Sequence, residues 1–190
     1  MKKIILFAAF AVVGFATQAQ VKFGAKAGLN LSNLTGDVSD NKMKIGFNVG
    51  GLVNIPVSSQ FSVQPELLFS SEGTKFDDGT TSQNFNLSYI NIPVMLQYNN
   101  ESGFYAEAGP QLGILASAKT ADTDVKEFFN STNFGLGLGL GYNMSNGLGF
   151  GARYSLGLGN IAKDSGSDKI KTSNISIGLH YTFGGAKSQD

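Results

Sequence analysis

The sequence predicts an all-β protein, an eight-stranded antiparallel up-and-down transmembrane β-barrel that follows an N-terminal signal peptide. Apolar and polar residues alternate with a period of two along most of the chain, as in strands with one buried face. The connections between these runs are alternately short and long. The first residues have the layout of a secretory signal. Together these observations predict export and a barrel.

The N-terminal segment has the three parts of a signal peptide. Two lysines follow Met1, residues 4–15 are almost wholly apolar, and the small residues Thr17 and Ala19 occupy the −3 and −1 positions of a cleavage site. The apolar run is shorter than the roughly 20 residues of a membrane-spanning helix. We therefore predict a signal peptide at residues 1–19 and an outer-membrane β-barrel domain at residues 20–190.

Eight alternating runs follow the cleavage site. They occupy about residues 21–31, 45–55, 61–69, 85–98, 104–114, 134–142, 148–158 and 175–183. The fourth run is irregular, because Phe85, Leu87 and Tyr89 have the opposite parity to the apolar residues that follow them. A β-bulge near Ser88–Tyr89 would reconcile the two halves of this strand.

The connections predict the orientation of the barrel. Short turns of about four residues are predicted near residues 56–59, 99–102 and 144–147. Polar loops of about a dozen residues are predicted near residues 32–43, 72–84, 117–131 and 160–172. Outer-membrane barrels have short periplasmic turns and longer extracellular loops. The long loops, including those at 72–84 and 117–131, are therefore expected outside the cell.

Alternation alone does not decide which face is outside, and an exported soluble barrel of the lipocalin kind remains an alternative. The sixth and seventh runs carry glycine at most positions of the non-apolar face. Glycine would make a poor water-facing surface, whereas inside a narrow barrel it leaves room for long side chains from the opposite wall. We therefore predict that the apolar face contacts lipid.

Three prolines lie inside the predicted strands. Pro65, Pro93 and Pro110 each remove a backbone donor, and a closed barrel has no free edge to tolerate the loss. We expect them at bulges or near the rims.

Four segments resemble the PorT-like outer-membrane β-barrel family of Bacteroidota, and the similarity extends over essentially the whole mature chain. The segments are VKFGAKAGLNLSNL (21–34), FSVQPELLFSSEG (61–73), YINIPVMLQY (89–98) and GFYAEAGPQLGIL (103–115). The resemblance implies an outer-membrane barrel, usually of unassigned function, and one branch of the family is associated with secretion and gliding machinery. It implies no catalytic motif and no cofactor.

Charged residues on the polar parity predict a structural network in the lumen. Glu66, Glu107 and Arg153 all point inward by parity, as do Lys22 and Lys26. A charge in a narrow lumen must be paired or hydrated. We therefore expect Glu66, Glu107 and Arg153 to form a charge network.

No catalytic, cofactor or metal site is predicted. The chain has no cysteine, and its 14 basic and 14 acidic residues offer no surplus for nucleic acid. The glycines of GLGLGLGY (135–142) keep period two, unlike a phosphate-binding loop. His180, the only histidine, falls on the lumen face, which speaks against a lipid-modifying barrel enzyme.

The predicted function is that of a non-enzymatic protein of the cell outer membrane. Its partners would be outer-membrane lipids and an unidentified extracellular ligand or envelope partner, and its loops would serve adhesion, binding or envelope stability. A narrow channel or secretion-associated component and a soluble carrier are the alternatives.

Overall fold

The chain folds into eight long strands in the computed structural model, which describes residues 21–37, 41–77, 82–120, 123–163 and 169–183. The predicted signal peptide lies outside the described residues. The strands are β1 (Lys22–Gly36), β2 (Asn41–Pro56), β3 (Phe61–Asp77), β4 (Ser82–Asn99), β5 (Phe104–Thr120), β6 (Thr132–Asn143), β7 (Leu148–Gly157) and β8 (Ile170–Phe183). A two-residue strand, Thr123–Asp124, and a 3-10 turn, Lys126–Phe128, lie between β5 and β6. Within these ranges no helix is long and apolar enough to cross a membrane.

The strands form a closed antiparallel barrel. Each long strand pairs with its neighbours in sequence, and β8 pairs with β1 from Phe23↔Phe183 to Gly36↔Ile170. Closure satisfies the backbone hydrogen bonds that an open sheet would leave at its two edges. The predicted eight-stranded up-and-down barrel is confirmed.

The three short turns also lie where the sequence predicts them, at residues 57–60, 100–103 and 144–147. Gly103 and Gly147 end two of them with φ values of 99° and 89°, a conformation that favours glycine. Their amides donate to the carbonyls of Asn100 and Met144, which closes each turn. All three turns therefore lie at one end of the barrel.

Two of the four long loops are much shorter than predicted, because the strands continue through most of them, whereas residues 158–169 separate β7 from β8, close to the predicted loop 160–172. β3 and β4 run to Asp77 and from Ser82, so only residues 78–81 separate them, in place of the predicted loop 72–84. Likewise, only residues 37–40 separate β1 from β2, and β5 continues to Thr120. The polar composition of these segments indicated loops, but a strand outside the bilayer also presents polar residues to water.

The barrel has two halves with opposite patterns. Near the short turns its outward residues are apolar and its inward residues polar; Phe23, Leu138 and Leu140 are each more than 60% exposed. We call this half the belt. At the other end, residues 71–77, 82–88 and 116–120 form a second half, which we call the extension. There the outward side chains include Lys75 and Lys119, and on β4 and β5 the pattern is reversed.

An apolar plug fills the inside of the extension. It consists of Leu34, Phe85, Leu87, Tyr89, Leu115, Ala118 and Ile161, with Val125, Phe129 and Ile170 packed against it. Leu87, Ala118 and Ile161 have no exposed surface. The extension thus has the polar exterior and apolar core of a water-soluble barrel.

A bulge lies opposite the predicted position, at the junction of the two halves, but on β5 and not on the fourth strand. The β4–β5 register changes from Ser88↔Ser117 to Tyr89↔Leu115, which leaves Ala116 as the extra residue, on β5. The bulge does not turn Phe85, Leu87 and Tyr89 outward, as the sequence interpretation required. They point into the barrel, because the same face of β4 is inward along its whole length. Only the surroundings change: the outer face meets lipid in the belt and water in the extension.

Pro65, Pro93 and Pro110 are expected at bulges or near the rims, but none of them lies at a register shift of the described ladders, and each is at least four residues from the nearer end of its strand. In the β2–β3 ladder, Leu52 pairs with Glu66 and Ile55 with Val63, so the register is the same on both sides of the gap at Pro65. The β3–β4 ladder has the same kind of gap at Pro93, and the β4–β5 ladder at Pro110. Each proline lacks the N–H for one ladder, so the hydrogen bond is lost while the register is kept.

Candidate functional site

The structure brings the three predicted lumen charges together in the belt. Arg153 on β7 donates from Nη1 and Nη2 to the two carboxylate oxygens of Glu66 on β3, at 2.8 and 2.7 Å. Its Nε donates to Glu107 Oε1 on β5 at 2.7 Å. The planar guanidinium suits this arrangement, since its fork of donors can bind one carboxylate bidentately and still reach another.

Lys26 on β1 completes this group. Its Nζ lies 3.3 Å from Glu66 Oε1, so two cations and two carboxylates occupy one level of the lumen. Gln64 donates to Glu66 at 2.8 Å, and Gln97 donates to Glu107 Oε2 at 2.9 Å. We call Lys26, Glu66, Glu107 and Arg153 the charge layer. It is formally neutral and its carboxylates are hydrogen-bonded, as buried ions require.

The inward glycines of β6 and β7 make room for these large side chains. A Cβ placed on Gly139 would lie 2.7 Å from Glu107 Oε1, and one on Gly151 would lie 2.3 Å from Tyr105 Oη. A Cβ on Gly149 would lie 2.3 Å from His180 Nε2. Real Cβ atoms do not approach other atoms this closely. The lumen side chains therefore pack directly against the backbone of these glycines, and any larger residue there would displace them.

A polar vestibule opens between the charge layer and the short turns, with a volume of about 360 Å³. Amides and hydroxyls line most of it, among them Asn54, Gln97, Asn99, Asn143, His180 and Thr182. Asn54 donates to Gln64 and Gln97, both at 3.0 Å. The vestibule ends at the charge layer, because its lining residues Gln64 and Gln97 donate to Glu66 and Glu107.

His180 lies inside the barrel, as predicted. Its Nε2 is 2.8 Å from Asn143 Oδ1, and its ring packs edge-on against Tyr105 with the centroids 6.0 Å apart. It therefore faces water in the vestibule rather than a lipid chain. Among the described residues, no three histidine, aspartate or glutamate side chains form a metal-binding cluster.

The sequence interpretation missed two inward charged residues. Lys44 and Glu72 are both buried, and Lys44 Nζ donates to the backbone carbonyl of Glu72 at 3.1 Å. Lys44 adjoins a segment predicted as a loop and Glu72 falls within another, and alternation assigns no face to loop residues. The signal was present, because Glu72 has the same parity as Glu66 on the same strand.

The lumen is blocked twice, by the charge layer and by the apolar plug. The buried core residues of the plug, like Arg153, Glu66 and Glu107, are each at most 6% exposed. The interior of an eight-stranded barrel is narrow enough for side chains to fill it. Its polar lining therefore does not imply a continuous path for water.

We therefore expect the purified protein to show no steady ion conductance in planar lipid bilayers. A porin reconstituted in the same lipid serves as the positive control, and protein-free detergent as the blank. Reproducible single-channel steps from the wild-type protein would contradict the closed lumen.

A closed barrel with an apolar, aromatic-rimmed belt and a polar interior defines the class of small integral outer-membrane barrels. Aromatic pairs such as Phe61–Tyr98 and Phe104–Tyr142 lie on the rim next to the short turns, with ring centroids 5.4 and 5.0 Å apart. Residues 16–163 match the family of the outer membrane protein beta-barrel domain, and the chain belongs to this family. The protein is located in the lipid bilayer of the outer membrane.

Solved structures show the same fold. The chain is similar to Ail, the attachment invasion locus protein of Yersinia pestis, with 18% identity, a TM-score of 0.52, and coverage of 86% of this chain and 99% of that one. It is also similar to Neisserial surface protein A, with 16% identity, a TM-score of 0.56, and coverage of 85% and 97%. A search of curated protein sequences finds no match.

Proposed function

We propose that this chain is a non-enzymatic outer-membrane barrel that presents its extension outside the cell for adhesion, ligand binding or envelope stability. One observation carries the proposal: β3 and β4 have 17 and 18 residues, whereas a strand needs about 9–11 to cross the bilayer. The residues beyond this length form the extension, which has polar outer side chains and its own apolar core. A structure of this kind is a rigid platform for binding.

The closed lumen supports this function over a channel. The apolar exterior of the belt speaks against a soluble carrier, since Phe47, Leu67 and Leu136 are each at least 50% exposed. His180 faces the lumen, which gives no support to a lipid-modifying enzyme. The name of Ail associates one barrel of this fold with attachment, and at 18% identity we extend that role to this chain only as part of the proposal.

The proposal also includes a cleaved signal peptide and a particular branch of the family. Residues 1–19 would be removed as a signal peptide, leaving Gln20 first, which the mass of the purified mature protein tests. The resemblance of residues 61–73, 89–98 and 103–115 supports a PorT-like branch of the family. Co-purification with large secretion partners would favour the secretion-associated alternative within that branch.

The orientation can be tested by cysteine labelling, because the chain contains no native cysteine. We expect Lys75→Cys and Glu127→Cys to react with a membrane-impermeant maleimide on whole cells, since both positions are exposed at the extension end. Ser58→Cys, exposed in a short turn, is the matched control and should react only after lysis. The reverse pattern would overturn the proposed topology and with it the extracellular platform.

A further inference from the structure

A second internal cavity adjoins the apolar plug and differs from the vestibule in size and lining. Its volume is about 10 Å³, the room that one water-sized particle needs. Its lining includes Glu72, Tyr89, Asn91, Gln111, Asn133 and Asn174, from strands on opposite sides of the barrel. The sequence does not single out this group, because only the strand register brings it together.

Three buried oxygens around this cavity lack a protein partner. Within the ranges that the structure describes, Tyr89 Oη, Asn133 Oδ1 and Asn174 Oδ1 make no hydrogen bond. Tyr89 and Asn174 are 1% and 8% exposed. Asn174 Nδ2 donates to Asn30 Oδ1 at 3.3 Å, which leaves the Asn174 oxygen as the free end, and Asn133 Nδ2 donates to Thr172 Oγ1 at 2.8 Å.

A buried carboxylate lines the same cavity. Glu72 is 5% exposed, and its Oε1 accepts hydrogen bonds from Ser70 Oγ at 2.7 Å and Asn91 Nδ2 at 3.0 Å. Among the described side chains, no lysine or arginine nitrogen lies within 4.0 Å of this carboxylate. Lys44 reaches only the backbone carbonyl of Glu72. Glu72 therefore lacks the direct ion pairing that Glu66 and Glu107 have.

We propose that this cavity binds one alkali-metal cation, held by the Glu72 carboxylate and the oxygens of Tyr89, Asn133 and Asn174. A water molecule has only two hydrogens to donate and no charge, whereas a cation can bind more than two oxygens at once and neutralise the carboxylate. Carboxylate, amide and hydroxyl oxygens are the ligands of hard cations. A single carboxylate balances one positive charge, while calcium sites gather more oxygen ligands, often from several carboxylates.

The first test is the thermal stability of the detergent-solubilised protein in NaCl, KCl and choline chloride at equal ionic strength. We expect a saturable rise in Tm of at least about 2 °C in one or both alkali salts relative to choline, because a cation that binds only the folded barrel stabilises it. Glu72→Gln and Asn174→Ala should lose this difference. Glu127→Gln, which removes an exposed carboxylate, should keep it. Equal Tm values for the wild type in all three salts would overturn the proposal.

The second test needs no variant. Crystals of the wild-type protein grown in RbCl should show an anomalous peak in the cavity, within coordination distance of Glu72. A water molecule or no density at that position, both in RbCl crystals and in crystals grown in NaCl, would overturn the cation site, whatever the salt dependence of Tm. Neither result bears on the extracellular platform, which the labelling experiment tests separately.

Discussion

Arg153→Met should lower the free energy of unfolding by about 3–5 kcal/mol, the usual loss when one partner of a buried ion pair is removed. The substitution keeps most of the side-chain volume but leaves Glu66 and Glu107 buried, with Lys26 as the only cation in the charge layer. Urea unfolding of the barrel reconstituted in lipid vesicles measures the change. Lys119→Met, at an exposed position near the end of β5, is the control and should be close to neutral.

A double variant separates lost charge balance from lost packing. Arg153→Met combined with Glu66→Gln leaves one cation, Lys26, and one anion, Glu107, so the layer is neutral again. We expect it to be more stable than Arg153→Met alone, because less uncompensated charge stays buried. Equal unfolding midpoints for wild type and Arg153→Met would show that the charge layer does not stabilise the barrel.

Gly141→Ala should be the most damaging alanine substitution among the inward glycines of β6 and β7, at about 1–3 kcal/mol, the usual range for overpacking. Its Cβ would lie 2.3 Å from the carbonyl oxygen of Phe150 and 2.5 Å from Tyr105 Cζ. The backbone carbonyl cannot move without disturbing the β6–β7 ladder. The unfolding experiment used for Arg153 measures the effect, with Gly51→Ala as the control, whose Cβ would meet nothing closer than 3.7 Å.

Gly151→Ala provides a sharper version of the same test. The new Cβ would contact Tyr105 Oη at 2.3 Å, so Tyr105→Phe should recover much of the lost stability. The same second change should rescue Gly141→Ala poorly, since the ring carbon and the Phe150 carbonyl remain in place. Rescue of both variants to the same extent would contradict the packing described for Tyr105.

Most of the belt could be predicted from sequence because one rule holds throughout it. In lipid, the outward side chains must be apolar, so period two identifies the strands and parity assigns Glu66, Glu107 and Arg153 to the lumen. The same rule fails in the extension, where water replaces lipid and the polarity of both faces reverses. The alternation rule therefore assigns Phe85 and Leu87 to the outer face, although they point into the barrel along a strand of constant parity.

The small cavity could not have been predicted for a different reason. Glu72 lay in a predicted loop, and its neighbours Asn133 and Asn174 belong to strands that are distant in sequence. Parity places a residue inside the barrel but does not give its height along the axis. That height depends on register and on the bulge at Ala116, neither of which periodicity determines.

The reversal of pattern between belt and extension also fixes how the protein can respond to membranes of different hydrophobic thickness. A barrel with apolar residues along its full outer face could slide along the membrane normal or immerse more of its wall in a thicker bilayer. Here, further immersion would bring Lys75, Asn84 and Asn86 into hydrocarbon, and withdrawal would expose the aromatic rim to water. The bilayer must therefore deform to match the protein, at a cost of a fraction of a kcal/mol per ångström of mismatch.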